Sequence, residues 1–390
     1  MNKTVKLLTL TAMASVSLAA ADFITAVKTD KLDASKVKLE NVMLYPQTTI
    51  GNNDKEATEK MKGLKALSAK AGAVFSDKEM LVVVKYKDAT NSKQSLKSTK
   101  LFGDGVAVQF PSACMEADKL PYIGMGNEGR AVEVLLQKNV EAVYPTSDKA
   151  DVTMQQVKQN LNMFGDELAK KQAAQKALAS AKYNKVFVSE GFRSMTEVKD
   201  AKGYEMSMSY KSGEWTAVFK KPLNDEYSKA CDVTPMAIAV WDGAKDGRNG
   251  NKWLSSWTPV LLKDSPKAKA DIAKITEKSK GNAINGKKLA ADNCAACHTM
   301  GDQKAPMANM APDLSNIGGY STAAYLKESM IAPNAVVVPG YNKNAHPATP
   351  WYSADDKGVR TSTMPPFDSL KPAEIDDIVA YLQTLKAGVK

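Results

Sequence analysis

Cys294-Ala295-Ala296-Cys297-His298 decides how this 390-residue chain is read. C-x-x-C-H is the attachment sequence of a covalent c-type haem: the two thiols add across the haem vinyl groups, and the following histidine is held against the iron as its proximal ligand. A bare C-x-x-C could also be a redox dithiol or half of a zinc site. The adjoining His298 and the absence of a second C-x-x-C in the chain make those readings poor. The expectation is therefore one covalent haem c on Cys294 and Cys297, with His298 on the iron.

Downstream of the motif, a sixth ligand is sought among Met307, Met310, His346 and Met364. Met364 is best placed, because Thr363-Met364-Pro365-Pro366 lies just before a terminal helix and two prolines stiffen the loop that must hold the thioether. His346 precedes Pro347 in a stretch that reads as exposed loop and is the runner-up. Pro372 marks a helix start, and Ile375, Ile378, Val379, Leu382 and Leu385 form one apolar face. Gly286 to Asn293 reads as the helix leading into the haem motif. Residues 283 to 390 thereby resemble a class I cytochrome c, expected to be all-α. Gly286 to Thr299 looks like its first helix and attachment motif, Ala311-Pro312-Asp313-Leu314 like its post-haem loop, and Met364 like its distal methionine. The resemblance implies that the Pro312 carbonyl accepts the His298 ring N–H and so orients the ligand.

The other end begins with Lys3 and Lys6, an apolar run from Leu7 to Ala20 and the small-residue sequence Ala19-Ala20-Ala21. That pattern reads as a secretory signal peptide over residues 1–21 and implies a periplasmic protein, a compartment that also suits haem c attachment. No later segment offers about 18 consecutive apolar residues, so no transmembrane span is expected after cleavage. The chain carries a net charge of +10, and residues 283 to 390 are neutral, so the whole excess lies before residue 283. It is mostly lysine, spread rather than clustered. That fits a solvated surface or docking to an acidic partner, and it does not suggest nucleic-acid binding. Cys114 and Cys231 remain outside the haem motif, and an oxidising compartment permits them to pair, which spacing alone leaves open.

Between these ends the chain reads mainly as short strands. Met80 to Tyr86, Val106 to Phe110, Val186 to Val188, Trp215 to Phe219 and Ile238 to Trp241 are β-branched or aromatic runs bounded by turn signals, which predicts a β-sandwich over residues 22–262. Lys55 to Lys70 and Val152 to Lys182 are rich in Ala, Lys, Gln, Leu and Met and predict helical insertions. Lys263 to Asn282 reads as a partly helical linker.

No histidine occurs between Asp22 and Asn282, so any haem there must use other ligands, and a histidine-ligated zinc site or a Ser-His-Asp arrangement is excluded. The region offers Pro121-Tyr122-Ile123-Gly124-Met125-Gly126, a methionine in a glycine-flanked loop, then Val240-Trp241-Asp242-Gly243, Arg248-Asn249-Gly250-Asn251-Lys252 and Ser255-Ser256-Trp257. With Gly103 to Pro111, Glu190-Gly191-Phe192 and Trp215 to Leu223, these segments resemble the haem b γ subunits of ethylbenzene dehydrogenase, dimethylsulfide dehydrogenase, selenate reductase and chlorate reductase. The resemblance implies one non-covalent haem b held by a methionine and a lysine, which fall here on Met125 and Lys252. Such a lysine must be buried and deprotonated to bind iron. The strand Val132 to Gln137 lacks the tryptophans expected beside such a pocket, and fusion to a cytochrome domain departs from separate γ subunits.

Together these readings predict a periplasmic dihaem electron-transfer protein and no enzyme. It would relay electrons between a molybdenum oxidoreductase of the dimethyl sulfoxide reductase family, with its catalytic and iron–sulfur subunits, and a soluble cytochrome or terminal acceptor. The alternative is a monohaem cytochrome with a haem-free N-terminal binding module. A dihaem peroxidase would need a second C-x-x-C-H.

Overall fold

Alternation of side chains along the strands sets the architecture, because successive residues face opposite sides of a sheet. The computed structural model describes residues 22–49, 59–60, 63–94, 101–140, 183–191, 194–307, 309–337 and 350–387. The β-strands in chain order are β1 (Ile24–Thr25), β2 (Val27–Lys28), β3 (Glu40–Pro46), β4 (Leu67–Phe75), β5 (Glu79–Lys87), β6 (Gly105–Pro111), β7 (Val132–Lys138) and β8 (Tyr183–Ser189). They continue with β9 (Thr196–Glu197), β10 (Glu205–Lys211), β11 (Glu214–Pro222), β12 (Val233–Trp241), β13 (Trp253–Leu254) and β14 (Thr258–Leu261).

These strands form one sheet in the order β10-β11-β5-β4-β3-β13-β12-β6-β7-β8-β9, with β1, β2 and β14 off that path. The sandwich expected from sequence is thus a single curled sheet. Two half-sheets are joined where β13 pairs with β3, through Trp253 opposite Pro46 and Leu254 opposite Tyr45. One buried cluster is shared by both halves: Val82, Val84, Tyr86 and Phe219 from one side, Val106, Val108, Phe110, Ile238 and Val240 from the other. The alternate residues of β6, β7 and β12, namely Ala107, Val134, Leu136, Ala237 and Ala239, belong to a second cluster on the opposite face. Burial on both faces explains why β6 and β12 read as largely apolar runs, broken by Gln109 in β6 and Thr234 in β12.

The helix expected over Lys55 to Lys70 is corrected at its end, where Leu67 to Lys70 are the first residues of β4. Ala69, Ala71 and Ala73 turn inward there, paired with β5, and this long-range pairing overrides the helical preference of alanine. Glu59 and Lys60 are helical, and Val152 to Lys182 lie outside the described residues, as does the expected signal peptide.

The former linker holds helix α1 (Pro266–Ile275), capped by Ser265, whose Oγ accepts the Ala268 N–H at 3.0 Å. The C-terminal domain contains α2 (Ala283–Asn293), α3 (Ile317–Tyr320), α4 (Ala323–Ile331) and α5 (Pro372–Thr384). α2 and α5 cross closely enough that a Cβ on Gly286 would fall 1.8 Å from the Asp377 carbonyl oxygen, so glycine is required at the crossing. The all-α expectation is also corrected: β15 (Tyr352–Ala354) and β16 (Arg360–Ser362) form an antiparallel ribbon. Its turn is closed by Asp355, which accepts the backbone N–H groups of Lys357 and Val359, with Gly358 at φ 82°.

The two domains share a buried interface. Tyr45, Leu120, Tyr122 and Trp257 from the sheet side lie in one cluster with Ile317, Tyr320 and Met330. Gly319 abuts the Tyr45 ring so closely that a Cβ would lie 2.3 Å from Tyr45 Cγ. Around this contact, Thr48 Oγ1 donates to the Asp313 carbonyl at 2.8 Å, and Asn316 Nδ2 donates to the Pro46 carbonyl at 3.0 Å. Glu328, only 8% exposed, accepts two hydrogen bonds from Arg130 at 2.7 and 2.8 Å and one from Lys119 at 2.7 Å.

Candidate haem sites

In the C-terminal domain, α2 delivers the attachment motif as its last turn unwinds. The His298 N–H donates to the Cys294 carbonyl at 2.9 Å, and the Cys297 N–H to the same carbonyl at 3.1 Å. Cys294 is buried and Cys297 exposed, and neither is in a disulfide. Burial pushes the Cys294 thiol up to about 11. His298 Nδ1 lies 2.7 Å from the Pro312 carbonyl oxygen, which leaves Nε2 as the free nitrogen when Nδ1 carries the proton. Burial pulls the imidazole below its ordinary value and favours the neutral form that a metal requires. Two free thiols and an oriented neutral imidazole are the donor set that a haem c needs.

Met364 is partly buried against the same cluster that contains Cys294. The ribbon β15–β16 positions it. The Met364 N–H donates to Ser362 Oγ at 3.1 Å, and Thr363 Oγ1 donates to the Trp351 carbonyl at 3.0 Å. Beyond the loop, the Phe367 N–H donates to the Met330 carbonyl at 3.0 Å, which ties the segment to the end of α4. Met307 is exposed and Met310 partly buried, and His346 lies outside the described residues.

In the sheet domain, Met125 and Lys252 come from different loops and line one cavity of about 310 Å³. Its floor is the face of β6, β7 and β12 turned away from the inter-sheet core, where Ala107, Ala237 and Ala239 leave room above the strands. Met125 has φ 75°, a left-handed conformation uncommon for a residue with a side chain and characteristic of functional loops. Several bonds hold it there: the Gly191 N–H donates to the Met125 carbonyl at 2.8 Å, the Gly126 N–H to the Tyr122 carbonyl at 2.8 Å, and Gln109 Nε2 to the Ile123 carbonyl at 2.6 Å. Trp257 Nε1 donates to the Pro121 carbonyl at 3.0 Å and fixes the start of the loop.

Lys252 is 4% exposed and has no hydrogen-bond or ion-pair partner among the described residues. Its Nζ sits 5.2 Å above the Trp241 ring. Burial alone pushes the amine down to about 8, so part of the population is neutral near pH 7. Trp241 Nε1 donates to the Asn249 carbonyl at 3.1 Å, which anchors the Lys252 loop to the end of β12. A thioether and a partner-free buried amine facing a cavity above small side chains fit a flat macrocycle with soft and nitrogen ligands. Sequence reading missed Trp241, Met195 and Lys138 as cavity residues. For Trp241 and Lys138 the period of two along β12 and β7 was the available signal.

Fold and sites together define a two-domain chain, a mostly-β domain followed by a cytochrome c domain. The ethylbenzene dehydrogenase family matches residues 30–253, and the cytochrome c family matches residues 283–386. The chain belongs to the ethylbenzene dehydrogenase family, with a domain like its γ subunit, and carries a class I cytochrome c domain behind it. These families indicate haem-based electron transfer and support a covalent haem c. No curated protein matches the chain. Among solved structures, a carbohydrate-binding module of family 9 from Caldicellulosiruptor kristjanssonii, in complex with glucose, is similar at 9% identity and a TM-score of 0.28, covering 62% of this chain and 97% of that one. The same module with cellotriose gives 11% identity and a TM-score of 0.27, over 63% and 96%. Likeness at this level carries no argument about function. Among the described residues, no helix is long and apolar enough to cross a membrane.

Proposed function

We propose that the chain is a periplasmic dihaem electron-transfer protein with domains at residues 22–262 and 283–390 and the connection 263–282 between them. In this reading, Cys294 and Cys297 carry a haem c whose iron takes His298 and Met364, and the cavity of the sheet domain holds a haem b between Met125 and Lys252. Bound there, the haems supply reversible one-electron iron chemistry. The chain's own residues do the rest. The Pro312 carbonyl orients His298, Met364 would offer the haem c iron a soft ligand that raises its potential, and Lys252 would offer the haem b iron a neutral amine because burial disfavours its proton. One chain carries both sites and the Tyr45, Tyr122 and Tyr320 interface packs their domains together, so transfer between them would be intramolecular.

The observation that carries the reading is a buried, partner-free Lys252 lining the same cavity as Met125. The family match supports a molybdenum enzyme complex, with its catalytic and iron–sulfur subunits, as one partner. A soluble cytochrome or terminal acceptor would be the other. The test is a pyridine haemochrome spectrum before and after acid-acetone extraction, which removes haem b and leaves haem c. One haem of each type supports the proposal. Haem c alone, in protein matured with ample haem, overturns the dihaem reading.

A further inference from the structure

Strand alternation carries three carboxylates to one end of the inter-sheet core. On β5 the inward residues Val82, Val84 and Tyr86 are followed at the same period by Asp88. On β6 the inward Val108 and Val106 are preceded by Asp104, and on β12 the inward Ile238 and Val240 are followed by Asp242. Val240 pairs with Val106, so Asp242 and Asp104 come next across the same ladder, whereas Asp88 belongs to the opposite half-sheet. Asp104 is fully buried, Asp242 is 7% exposed and Asp88 is partly buried. One carboxylate oxygen from each lies within 4.8 Å of the others.

Three crowded acids at low dielectric repel one another, and among the described residues the one cation paired with them is Lys245, bound to Asp242. Burial, with the charges of Asp88 and Asp242, pushes Asp104 up to about 6, although it accepts backbone N–H groups from Gly243 and Ser92. A separate observation points into the cluster. Tyr86 is 2% exposed and its hydroxyl has no hydrogen-bond partner among the described residues, and its strongest electrostatic neighbours are Asp104, Asp88 and Asp242. A buried hydroxyl beside three carboxylates fits a donor to a water held on a shared cation.

We propose that Asp88, Asp104 and Asp242 bind one calcium ion that staples the two half-sheets at this end of the core, with Tyr86 bonding to a water on the ion. The donors are all hard oxygens, which excludes soft metals. Calcium, with ligands at about 2.3–2.6 Å, accommodates oxygens up to about 5 Å apart, whereas magnesium holds them within about 4.2 Å. The ion would also fix the start of the loop from Asp242 to Lys252, because Asp242 caps the turn Gly243–Lys245. The inference is independent of whether the neighbouring cavity holds a haem.

The full-length protein, stripped of metal by a chelator, is titrated with calcium chloride by calorimetry, and bound metal is counted after dialysis. The expected result is one calcium per chain and a rise in melting temperature. Asp88→Asn and Asp104→Asn should each weaken binding by about tenfold or more. Asp88→Asn is expected to fold, since among the described residues that carboxylate bonds only to Thr90 in its own turn. Asp77→Asn, at an exposed acid paired with Lys28, should change nothing. No uptake by the wild-type protein at millimolar calcium overturns the proposal, whatever the variants do. Uptake equal in Asp88→Asn and wild type, or magnesium displacing calcium at equal concentration, does so as well.

Discussion

Replacing Lys252 by an apolar residue should move two measurements in opposite directions. The folded chain holds this amine at about 8 against an ordinary 10.5 because burial strips its water. The native state therefore binds fewer protons than the unfolded state between those values, and the stability of the haem-b-free protein rises with pH across that window. Below about pH 8 the penalty is complete, worth about 3 kcal/mol at 1.36 kcal/mol per tenfold change, and above 10.5 it is gone. The Trp241 ring beneath the ammonium offsets about 0.5–1 kcal/mol of it. Without haem b, then, Lys252→Met should stabilise by about 2–3 kcal/mol at pH 7. The comparison is made between Met125→Ala and Met125→Ala/Lys252→Met, both expected to lack extractable haem, by urea denaturation at pH 7 and at pH 10.5. The gain should be present at the lower pH and absent at the higher. In the otherwise wild-type protein, Lys252→Leu, which offers the iron no ligand atom, should abolish the acid-acetone-extractable haem and leave haem c intact. Equal stability of the two haem-b-free proteins at pH 7 would refute the desolvation argument, and extractable haem retained at wild-type level in Lys252→Leu would refute the ligand assignment.

Other substitutions test the remaining parts. Met364→His should lower the haem c potential and remove the sulfur-to-iron charge-transfer band of the ferric protein, read by potentiometry and absorbance, because a second imidazole favours ferric iron relative to a thioether. Glu328→Gln should weaken the domain interface by about 2–4 kcal/mol, since it leaves the Arg130 guanidinium without its buried partner. Burial raises the Glu328 carboxyl, but the hydrogen bonds from Arg130 and Lys119 outweigh it and hold the group below its ordinary 4.5. The docking contribution is thus complete above that pH and lost as pH falls through the folded value, which limited proteolysis of the connection can follow. Cys231→Ser should cost up to about 4–5 kcal/mol by the loop-closure argument, measured by denaturation with and without reductant, because the Cys114–Cys231 disulfide closes a separation of 117 residues.

Most of the local structure was readable because its causes are local. The five strand segments singled out lie within β5, β6, β8, β11 and β12, and Pro372 begins α5. What escaped was set by distant partners. Ser68-Ala69-Lys70-Ala71 has helix-forming composition, yet it alternates exposed and buried only because β5 and β3 flank it. The ribbon before Met364 was hidden for a similar reason, since each of its strands has three residues and its worth lies in holding the methionine loop. The Cys114–Cys231 pairing, left open by spacing, joins residues whose Cα atoms are 5.8 Å apart across the β6 and β12 ends. Three scattered aspartates show nothing until the period of two is carried one step past the strand ends.

The same period explains why one half-sheet serves two purposes. β6 and β12 turn valine, isoleucine and phenylalanine toward the opposite half-sheet, and this core supplies the stability. Their other face carries Ala107, Ala237 and Ala239, small side chains that add little burial but leave the cavity open. A chain that filled this face with leucine would gain hydrophobic stabilisation of about 0.8 kcal/mol per methylene and lose the space. The buried amine of Lys252, with no hydrogen-bond or ion-pair partner among the described residues, and the left-handed backbone of Met125 add further cost at the same place. Three departures from stability converge on one cavity, on the face whose buried cluster continues into the cytochrome domain, and the ligand proposed for that cavity would account for all three. The disulfide and the buried Glu328 clamp then have a shared mechanical role: they hold a sheet with one face kept open, and fix it against the domain that carries Cys294 and Cys297.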